Sequence, residues 1–227
     1  GFSIVTGYLL RRKKGEDIMP DSQLTKRALS QAMKKLMTKY PMEKIKIKDI
    51  TKLCDMNRQS FYYHFKDKYD LVNWIFYTEF VSGIQNSLDK SHWELLENMC
   101  EFFYENRAFY SNALKVRGQN SFSEYFTEVM HSLIHYQLEA VFKDDENQDF
   151  CATFFADAIR VSITRWLLEG AKLTPREFVN LMKTAVTGVA YKLIKDTEKE
   201  NSFVSDTEDK KSTNINDRHT EITGAEG

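Results

Sequence analysis

The spacing of apolar residues along the chain predicts a succession of helices. From Leu24 to Tyr40, apolar side chains recur every three or four residues until Pro41 ends the pattern, which is the period of one face of an α-helix. The same spacing predicts helices at about 68–88, 91–105, 108–116, 122–142, 148–170 and 174–195. Only three Pro and nine Gly occur in 227 residues, and runs of alternating polarity are few. We therefore predict an all-α protein of about nine helices.

The stretch 46–71 predicts two short helices that are joined by a tight turn and followed at once by a third. The first carries a narrow apolar stripe, formed by Ile50, Leu53 and Cys54. Asp49 is placed to accept a hydrogen bond from the backbone N–H of Lys46. The second helix starts at Asn57, which is a favoured N-cap residue. The pattern is that of a helix-turn-helix.

The second helix of this motif has two contrasting faces. Phe61 and Phe65 share the inward face, while Gln59, Ser60 and Tyr63 point nearly the opposite way. An amide, a hydroxyl and a phenol on a solvent-facing helix are groups suited to base edges and phosphates in a major groove. The alternative is a buried helical hairpin whose outer face is only solvated.

The run IKIKDITKLCDMNRQSFYYHFKDKYDL resembles the DNA-binding domain of the TetR family of bacterial regulators. The family's most characteristic positions are occupied by Tyr62, Phe65, Lys68 and Leu71. The resemblance implies binding of a double-stranded DNA operator, with base reading by Arg58, Gln59, Ser60 and Tyr63. The full predicted DNA-binding set is Lys46, Lys48, Arg58, Gln59, Ser60, Tyr62, Tyr63, His64 and Lys68.

Two positions depart from the family pattern. Asp55 stands in the turn where the family usually has Gly, and Asp tolerates the left-handed conformation less well than Gly but better than most residues. Lys46 stands where the family usually has Thr, so a hydroxyl contact to phosphate would become a charge contact. Neither departure conflicts with the fold.

The later segments ENRAFYSNALKVRGQNSFSEYF and AIRVSITRWLLEGAKLTPREF resemble the C-terminal domain of the TetR subtype that regulates dihydroxyacetone kinase. The resemblance implies a helix-turn-helix domain at 20–66 and a helical regulatory and dimerisation domain at 67–195. Some members of that subtype activate transcription with a protein co-regulator in place of a small inducer. The sign of regulation therefore stays open.

The abundant aromatic residues of the second domain fit either a filled core or a ligand cavity. If a cavity exists, the family arrangement implies walls from Trp74, Trp93, Phe103, Phe126, Tyr136, Arg160 and Trp166. Walls of this kind favour an apolar or amphipathic effector. A filled core would favour control by a protein partner, or no ligand at all. Asp157 lies three residues before Arg160, near enough on one helix to pair with it.

The last two predicted helices, 148–170 and 174–195, are apolar over more than half of their circumference. The apolar positions are Phe154, Phe155, Ala158, Ile159, Trp166, Phe178, Met182, Ala185, Val186, Val189 and Leu193. Gly188 in mid-helix costs about 1 kcal/mol unless it permits a close approach. We predict that a second copy of the chain covers these helices. Two DNA-binding domains would then meet a palindromic operator.

The near-neutral total charge hides an asymmetry along the chain. Residues 22–70 carry 12 Lys and Arg against 5 Asp and Glu, whereas residues 71–227 carry 16 against 25. A basic head on an acidic body favours directed binding of a polyanion.

The three cysteines, Cys54, Cys100 and Cys151, are widely spaced on apolar helical faces. They are typical of reduced thiols in a cytoplasmic protein.

Both ends of the chain are predicted to lie outside the fold. Residues 1–19 place a short apolar run before a basic cluster, which is the wrong order for a signal peptide and too short to span a membrane. We treat them as a non-native or disordered leader. Residues 196–227 carry 9 acidic and 4 basic residues with almost no apolar content, which predicts a disordered acidic tail.

The sequence indicates no catalytic residues and no cofactor, because it lacks a phosphate-binding loop, a framed carboxylate pair and a recognisable nucleophile and base. Glu128, His131 and His135 are the one set with metal-ligand spacing. The helical wheel places them opposite the apolar face, on a wet surface, and we predict no metal there. Two other classes remain as alternatives: a helical protein-interaction module and a metal-dependent helical enzyme.

Overall fold

The computed structural model describes residues 20–84, 91–139 and 145–197, and all regular structure within those ranges is helical. The predicted all-α class is confirmed. The helices are α1 (Pro20–Met37), α2 (Ile47–Leu53), α3 (Arg58–His64), α4 (Lys68–Phe76), α5 (His92–Glu105), α6 (Arg107–Ala113), α7 (Phe122–Leu138), α8 (Asp145–Leu168) and α9 (175–197). A 3₁₀ turn, Met42–Lys44, lies between α1 and α2. A π-helical turn, Tyr77–Val81, and a last helical turn, Ser82–Ile84, extend α4.

The boundary between two compact units of the chain falls between Arg176 and Glu177. Helices α1 to α8 therefore belong to one packed unit. The predicted boundary between residues 66 and 67 would separate two functions within that unit, and it stays a prediction. Among the described residues, no helix is both long enough and apolar enough to cross a membrane.

Helix α1 is the scaffold of the N-terminal helices. Leu29, Met33 and Met37 are at most 3% exposed and form its inward stripe. Only 4% of the Lys26 surface is exposed. The Lys34 ammonium pairs with the Glu79 carboxylate, beyond α4, at 2.7 Å. These two lysines of α1 therefore contribute little unpaired positive charge to the surface.

The start of α4 is specified locally. The Asp67 carboxylate accepts from the backbone N–H groups of Tyr69 and Asp70, at 2.8 Å each, and so occupies two donors that have no partner within the helix. Asp70 in turn accepts from the N–H of Lys66 at 3.1 Å. The turn after α3 is thereby fixed, and α4 runs from the helix-turn-helix into the rest of the unit.

Phe76 is the centre of the core of this unit. Its ring stacks on Phe103 with centroids 5.6 Å apart and meets Phe122 edge-on at 5.3 Å. Phe126 and Tyr110 contact the same ring at 5.9 Å each. All five side chains are fully buried. One aromatic cluster therefore joins α4, α5, α6 and α7.

Three positions differ from the predicted boundaries and faces. Helix α6 ends at Ala113, three residues before the predicted end, and α8 already begins at Asp145. Leu53 was predicted inside the stripe of α2, but it is 43% exposed. The buried face is centred on Ile50 and Thr51, and Leu53 lies on the opposite flank of Ile50 from Thr51. Apolar spacing alone could not locate that centre, because Thr51 is polar.

Several predictions concern residues outside the described ranges. The leader 1–19 and residues 198–227 of the predicted tail lie there, as do the predicted helix ends at 85–88 and 140–142. Residues 196 and 197, which were assigned to the disordered tail, instead complete the last turns of α9.

Cys100 is buried, which agrees with its predicted place on an apolar helical face. Burial raises the pKa of its thiol to about 12.

Candidate nucleic-acid interface

Helix α3 is held by its N-cap and by two buried rings. The Asn57 Oδ1 accepts from the backbone N–H of Ser60 at 2.8 Å and from the Ser60 hydroxyl at 3.1 Å. Phe61 is completely buried and Phe65 is 3% exposed. Both the predicted cap and the predicted inward face are therefore present. With one end capped and one side docked, α3 presents its remaining side chains in a fixed direction.

The outward side chains of α3 include those predicted to read bases. Arg58 and Gln59 are exposed, and Tyr63 is 78% exposed. Tyr62 is 55% exposed and meets Phe61 edge-on with centroids 5.7 Å apart. Ser60 is half-buried, and its hydroxyl donates to the side chain of Asn57. The helix therefore offers an amide and a phenol on its outward face and an exposed guanidinium on its flank.

A groove of about 350 Å³ lies beside this surface, between α3 and the first turns of α1. It is lined by Thr25, Met56, Asn57, Gln59, Ser60, Tyr63 and His64. The ring of His64, half-buried, meets Tyr63 edge-on with centroids 4.9 Å apart. Four of the predicted DNA-binding residues thus share one concave surface.

The turn of the motif needs an unusual backbone conformation. Asp55 has a φ of 52°, in the left-handed region where a β-carbon is disfavoured. The resemblance placed Gly at this position in the family, and the structure shows the physical reason. The thiol of Cys54, the residue before Asp55, donates to the carbonyl of Ile50 at 3.3 Å. Burial raises the pKa of this thiol.

The start of α2 adds two exposed lysines, Lys46 and Lys48. Asp49 accepts from the backbone N–H of Lys46 at 2.9 Å, as predicted, and this bond leaves the Lys46 ammonium out of the cap. Both side chains are therefore available to DNA phosphates.

Lys68 has a different environment from the other predicted contacts. Its ammonium donates to three backbone carbonyls, those of Met42 at 2.8 Å, Ile45 at 3.0 Å and Glu43 at 3.1 Å. Burial lowers its pKa, and the nearby charges of Glu43 and Asp67 oppose that shift. An ammonium has three donors, and all three are used inside the protein. A phosphate contact by Lys68 therefore stays a prediction that this geometry does not support.

Two models of known protein families match the chain, one over the helix-turn-helix and one over the later helices. Residues 29–75 match the model described as bacterial regulatory proteins of the tetR family. Residues 91–188 match the model described as a transcriptional regulator C-terminal region. The chain belongs to the TetR family. It is a DNA-binding transcription regulator, and the helix-turn-helix described above is the part that the first of the two models covers.

This TetR-family chain is similar to a named activator. The HTH-type dhaKLM operon transcriptional activator DhaS of Lactococcus lactis subsp. lactis (strain IL1403) is 26% identical over 134 residues, which are 58% of this chain and 68% of the relative. The predicted resemblance to the dihydroxyacetone-kinase-regulator subtype is thereby confirmed.

Solved structures show the same fold. The dihydroxyacetone kinase operon activator DhaS is matched with a TM-score of 0.53 at 21% identity, over 72% of this chain and 94% of that one. A TetR transcriptional regulator from Streptococcus agalactiae 2603V is matched with a TM-score of 0.58 at 22% identity, over 73% and 95%. At these identities the likeness supports the fold alone.

The residues predicted to wall a ligand cavity do not gather around one space. Phe103 and Phe126 pack against each other in the core at 5.2 Å. Trp74 packs edge-on against Phe65 of the helix-turn-helix at 5.7 Å. Trp166, 5% exposed, donates its indole N–H to the carbonyl of Leu173 at 3.1 Å. Trp93 and Tyr136 are half-buried.

A groove of about 810 Å³ opens elsewhere, between the 114–121 loop, α7 and α8. Arg160 is the one predicted ligand residue among its lining residues, which are Leu114, Arg117, Gly118, Ser121, Ser123, Glu124, Thr127, Glu128, His131, Ser132, Thr153, Asp157, Arg160 and Thr164. Arg160 pairs with Asp157 at 3.2 Å, as its spacing predicted. The Thr164 hydroxyl is buried without a hydrogen-bond partner. Most residues that line this groove are polar types, whereas the predicted cavity was lined by aromatic residues.

The two histidines considered as metal ligands bond to α8 instead. The Nε2 of His131 lies 2.9 Å from the Asp149 carboxylate, and the carbonyl of His135 accepts from Gln148 at 2.6 Å. Both histidines are half-buried beneath α8, while Glu128 of the same set is exposed, so α8 covers part of the predicted solvent face. The helical wheel gives the face of α7 but not the helix that covers it. Within the described residues, no group of three potential ligands is placed to hold a metal ion.

Proposed function

We propose that the chain recognises a palindromic operator as a homodimer, with α3 entering the major groove. The observation that carries this proposal is the fixed geometry of α3, which buries Phe61 and Phe65 and exposes Arg58, Gln59 and Tyr63. A guanidinium suits guanine and an amide suits adenine in the major groove. Operator binding also implies action in the cytoplasm, where bacterial chromosomal DNA is found.

The charge of the surrounding surface supports the same proposal. Residues 22–70 carry 12 basic and 5 acidic side chains, and Lys46 and Lys48 are exposed at the start of α2. Phosphate contacts of this kind fix the register of a protein on DNA but carry no sequence information. We assign them to the two lysines, and base reading to α3.

Replacing Gln59 or Tyr63 with Ala should relax sequence preference. Both side chains are exposed and neither contributes to the core, so each variant should fold normally while losing about 1–3 kcal/mol of discrimination for each good base contact. The measurement is a titration at fixed salt against a duplex selected by the parent protein and against random DNA.

Lys48→Ala is the matched control, because a lost phosphate contact weakens binding to both duplexes alike. The proposal fails if Gln59→Ala and Tyr63→Ala also weaken both duplexes equally. If the parent protein selects no duplex over random DNA, the helical protein-interaction module is the better description.

Each of the last two helices, taken by itself, carries exposed apolar residues that a second copy could cover. In α8, Phe150 is 70% exposed and Phe154 60% exposed. In α9, Val189 is 60% exposed and Leu193 62% exposed. A β-carbon added at Gly188 would meet nothing within 4 Å in the single chain, so any close approach there must come from another molecule. Trp166 was included in the predicted surface, but it is buried in its own chain.

Val189→Glu should therefore dissociate the dimer. The side chain is exposed in one chain, so the substitution should not disturb the monomer, whereas a two-fold interface would bury the charge twice. Sedimentation should show a shift to monomer at micromolar concentration, with loss of operator binding. Lys192→Glu, on the same helix and already polar, is the control. If the parent protein sediments as a stable monomer, the result contradicts both the proposed homodimer and the proposed palindromic operator.

A second candidate is control by a small molecule, and the groove beside α7 and α8 favours it. We propose an effector that carries hydroxyl or other hydrogen-bonding groups, in place of the predicted apolar one, because the groove is lined by Arg117 and Arg160 together with the acidic side chains of Glu124, Glu128 and Asp157. Thermal-shift measurements with hydroxylated compounds, followed by operator titration, test it. A compound that stabilises the protein but leaves operator affinity unchanged would remove the regulatory claim.

The alternative is activation with a protein co-regulator and no small ligand. Its support is the similarity to DhaS, whose name describes a transcriptional activator. Operator binding that no compound changes, combined with raised transcription in the presence of the protein, would favour it.

A further inference from the structure

The segment between α1 and α2 is held by a side chain from far along the sequence. This connector (residues 38–46) contains the 3₁₀ turn and leads into the N-cap of α2. Asn112 of α6 makes three hydrogen bonds to it and to the end of α1. Its Nδ2 donates to the carbonyls of Met37 at 2.9 Å and Tyr40 at 2.7 Å, and its Oδ1 accepts from the N–H of Met42 at 2.8 Å.

The three bonds use the amide in the one orientation that fits. Reversing its oxygen and nitrogen would set the NH₂ against the Met42 N–H and the oxygen against two carbonyls, so the network fixes the assignment. Asp could still accept from Met42 but could not donate, and Leu of similar shape could do neither. The position therefore needs a donor pair and an acceptor together, which an asparagine supplies at this reach.

Asn112 is carried by a helix that is anchored in the body of the unit. Tyr110 and Ala113 of the same helix are completely buried, and Phe109 is 4% exposed. The hydroxyl of Ser111 faces the carbonyl of Leu167 in α8 at 3.5 Å. Helix α6 therefore cannot shift without disturbing the aromatic core, and the connector is bonded to it.

The connector is also held from its other side. Lys68 of α4 donates to the carbonyls of Met42, Glu43 and Ile45. Residue Met42 is thus bonded to α6 through its N–H and to α4 through its carbonyl. A movement of α6 relative to α4 would have to break one of these two sets of bonds or displace the start of α2.

We propose that Asn112 is the positioning residue that sets where the connector and the start of α2 lie relative to α6, and that the preference of the DNA-binding surface for one duplex depends on this placement. The proposal rests on DNA binding by α2 and α3 as described above.

Asn112→Leu and Asn112→Asp test this assignment, with Ser111→Ala as the matched control on the same helix. Three properties are compared: the melting temperature, amide hydrogen exchange in the connector, and affinity for a selected duplex relative to random DNA. In Asn112→Leu we expect exchange at the Met42 amide to rise, and the selected duplex to bind about tenfold or more weakly. Affinity for random DNA should change less.

Asn112→Asp separates the bond that the side chain accepts from the Met42 N–H from the two bonds that it donates to carbonyls. The variant also remains informative if Asn112→Leu fails to fold. Its carboxylate can keep the bond from Met42, so that amide should stay protected, while loss of the two donated bonds should still reduce preference for the selected duplex. Ser111→Ala should leave connector exchange and duplex preference unchanged at whatever melting temperature it shows.

Two results would overturn the proposal. One is unchanged connector exchange and unchanged duplex preference in both Asn112 variants. The other is a loss of preference that Ser111→Ala reproduces for the same fall in melting temperature, because that would make Asn112 a stabilising contact only. A parent protein without duplex preference would instead contradict DNA recognition by α3, and connector exchange would still report whether Asn112 holds the connector.

Discussion

Replacing Phe76 with Ala is expected to lower the free energy of unfolding by about 3–5 kcal/mol. The ring is completely buried and contacts aromatic side chains of α5, α6 and α7. Its removal takes away both the transfer free energy of the side chain and the contacts of every ring around it. Urea unfolding followed by tryptophan fluorescence measures the difference.

Tyr63→Ala is the control for this substitution, because Tyr63 is 78% exposed and an exposed aromatic side chain should contribute within about 0.5 kcal/mol. The comparison also tests the aromatic cavity predicted from the sequence. A filled core predicts that a small apolar compound such as benzene stabilises Phe76→Ala and leaves the parent protein unchanged. Stabilisation of the parent by the same compound would show that the aromatic cluster already contains a usable void.

The helix-turn-helix could be predicted because its determinants are local. Asp49 bonds to Lys46 three residues away, and Asn57 bonds to Ser60 over the same distance. The inward face of α3 follows from the spacing of Phe61 and Phe65, four residues apart in a helix that has 3.6 residues per turn. Residue pairs this close in sequence can be recognised within a short window, and here the caps and the inward face agree with one another.

The contacts that hold the helix-turn-helix in place could not be predicted in this way. Asn112 and Met42 are 70 residues apart, and no pattern in either segment marks the pair. An asparagine on a short helix looks like a solvated residue until α6 is packed against the end of α1. The same limit applies to the aromatic residues, because helical spacing shows which rings point inward but not whether they close the space between them.

The sequence missed the role of Lys68 for a related reason. A lysine beside a DNA-binding helix suggests a phosphate contact, and the family resemblance strengthened that interpretation. The three carbonyls that receive its ammonium belong to a 3₁₀ turn and to the residue that follows it, more than twenty residues earlier. Carbonyls near the end of a helical turn need donors from outside it, and only the folded chain shows which donor meets them.

Lys68→Met is therefore expected to destabilise the protein by about 2 kcal/mol, since hydrogen bonds from a charged donor contribute about 1.5–3 kcal/mol and solvent can replace part of the loss. The carbonyls of Met42 and Ile45 would lose a donor, and methionine keeps most of the apolar stem. Lys66→Met is the matched control, because Lys66 is exposed, lies two residues away and carries the same charge. Urea unfolding of the two variants gives the comparison.

The salt dependence of DNA binding separates this internal role from the phosphate contact that the sequence predicted. Each phosphate contact that is lost should lower the slope of log affinity against log salt by about one. If Lys68 acts inside the protein, Lys68→Met should lose stability and keep the slope of the parent. A slope lower by about one with unchanged stability would instead place the Lys68 ammonium on the DNA, and the three carbonyl bonds would then belong only to the protein free of DNA.

Because Lys68 and Asn112 hold the same connector from α4 and α6, the internal role also predicts that the two substitutions are not additive. Once either set of bonds is lost, the other can no longer fix the start of α2.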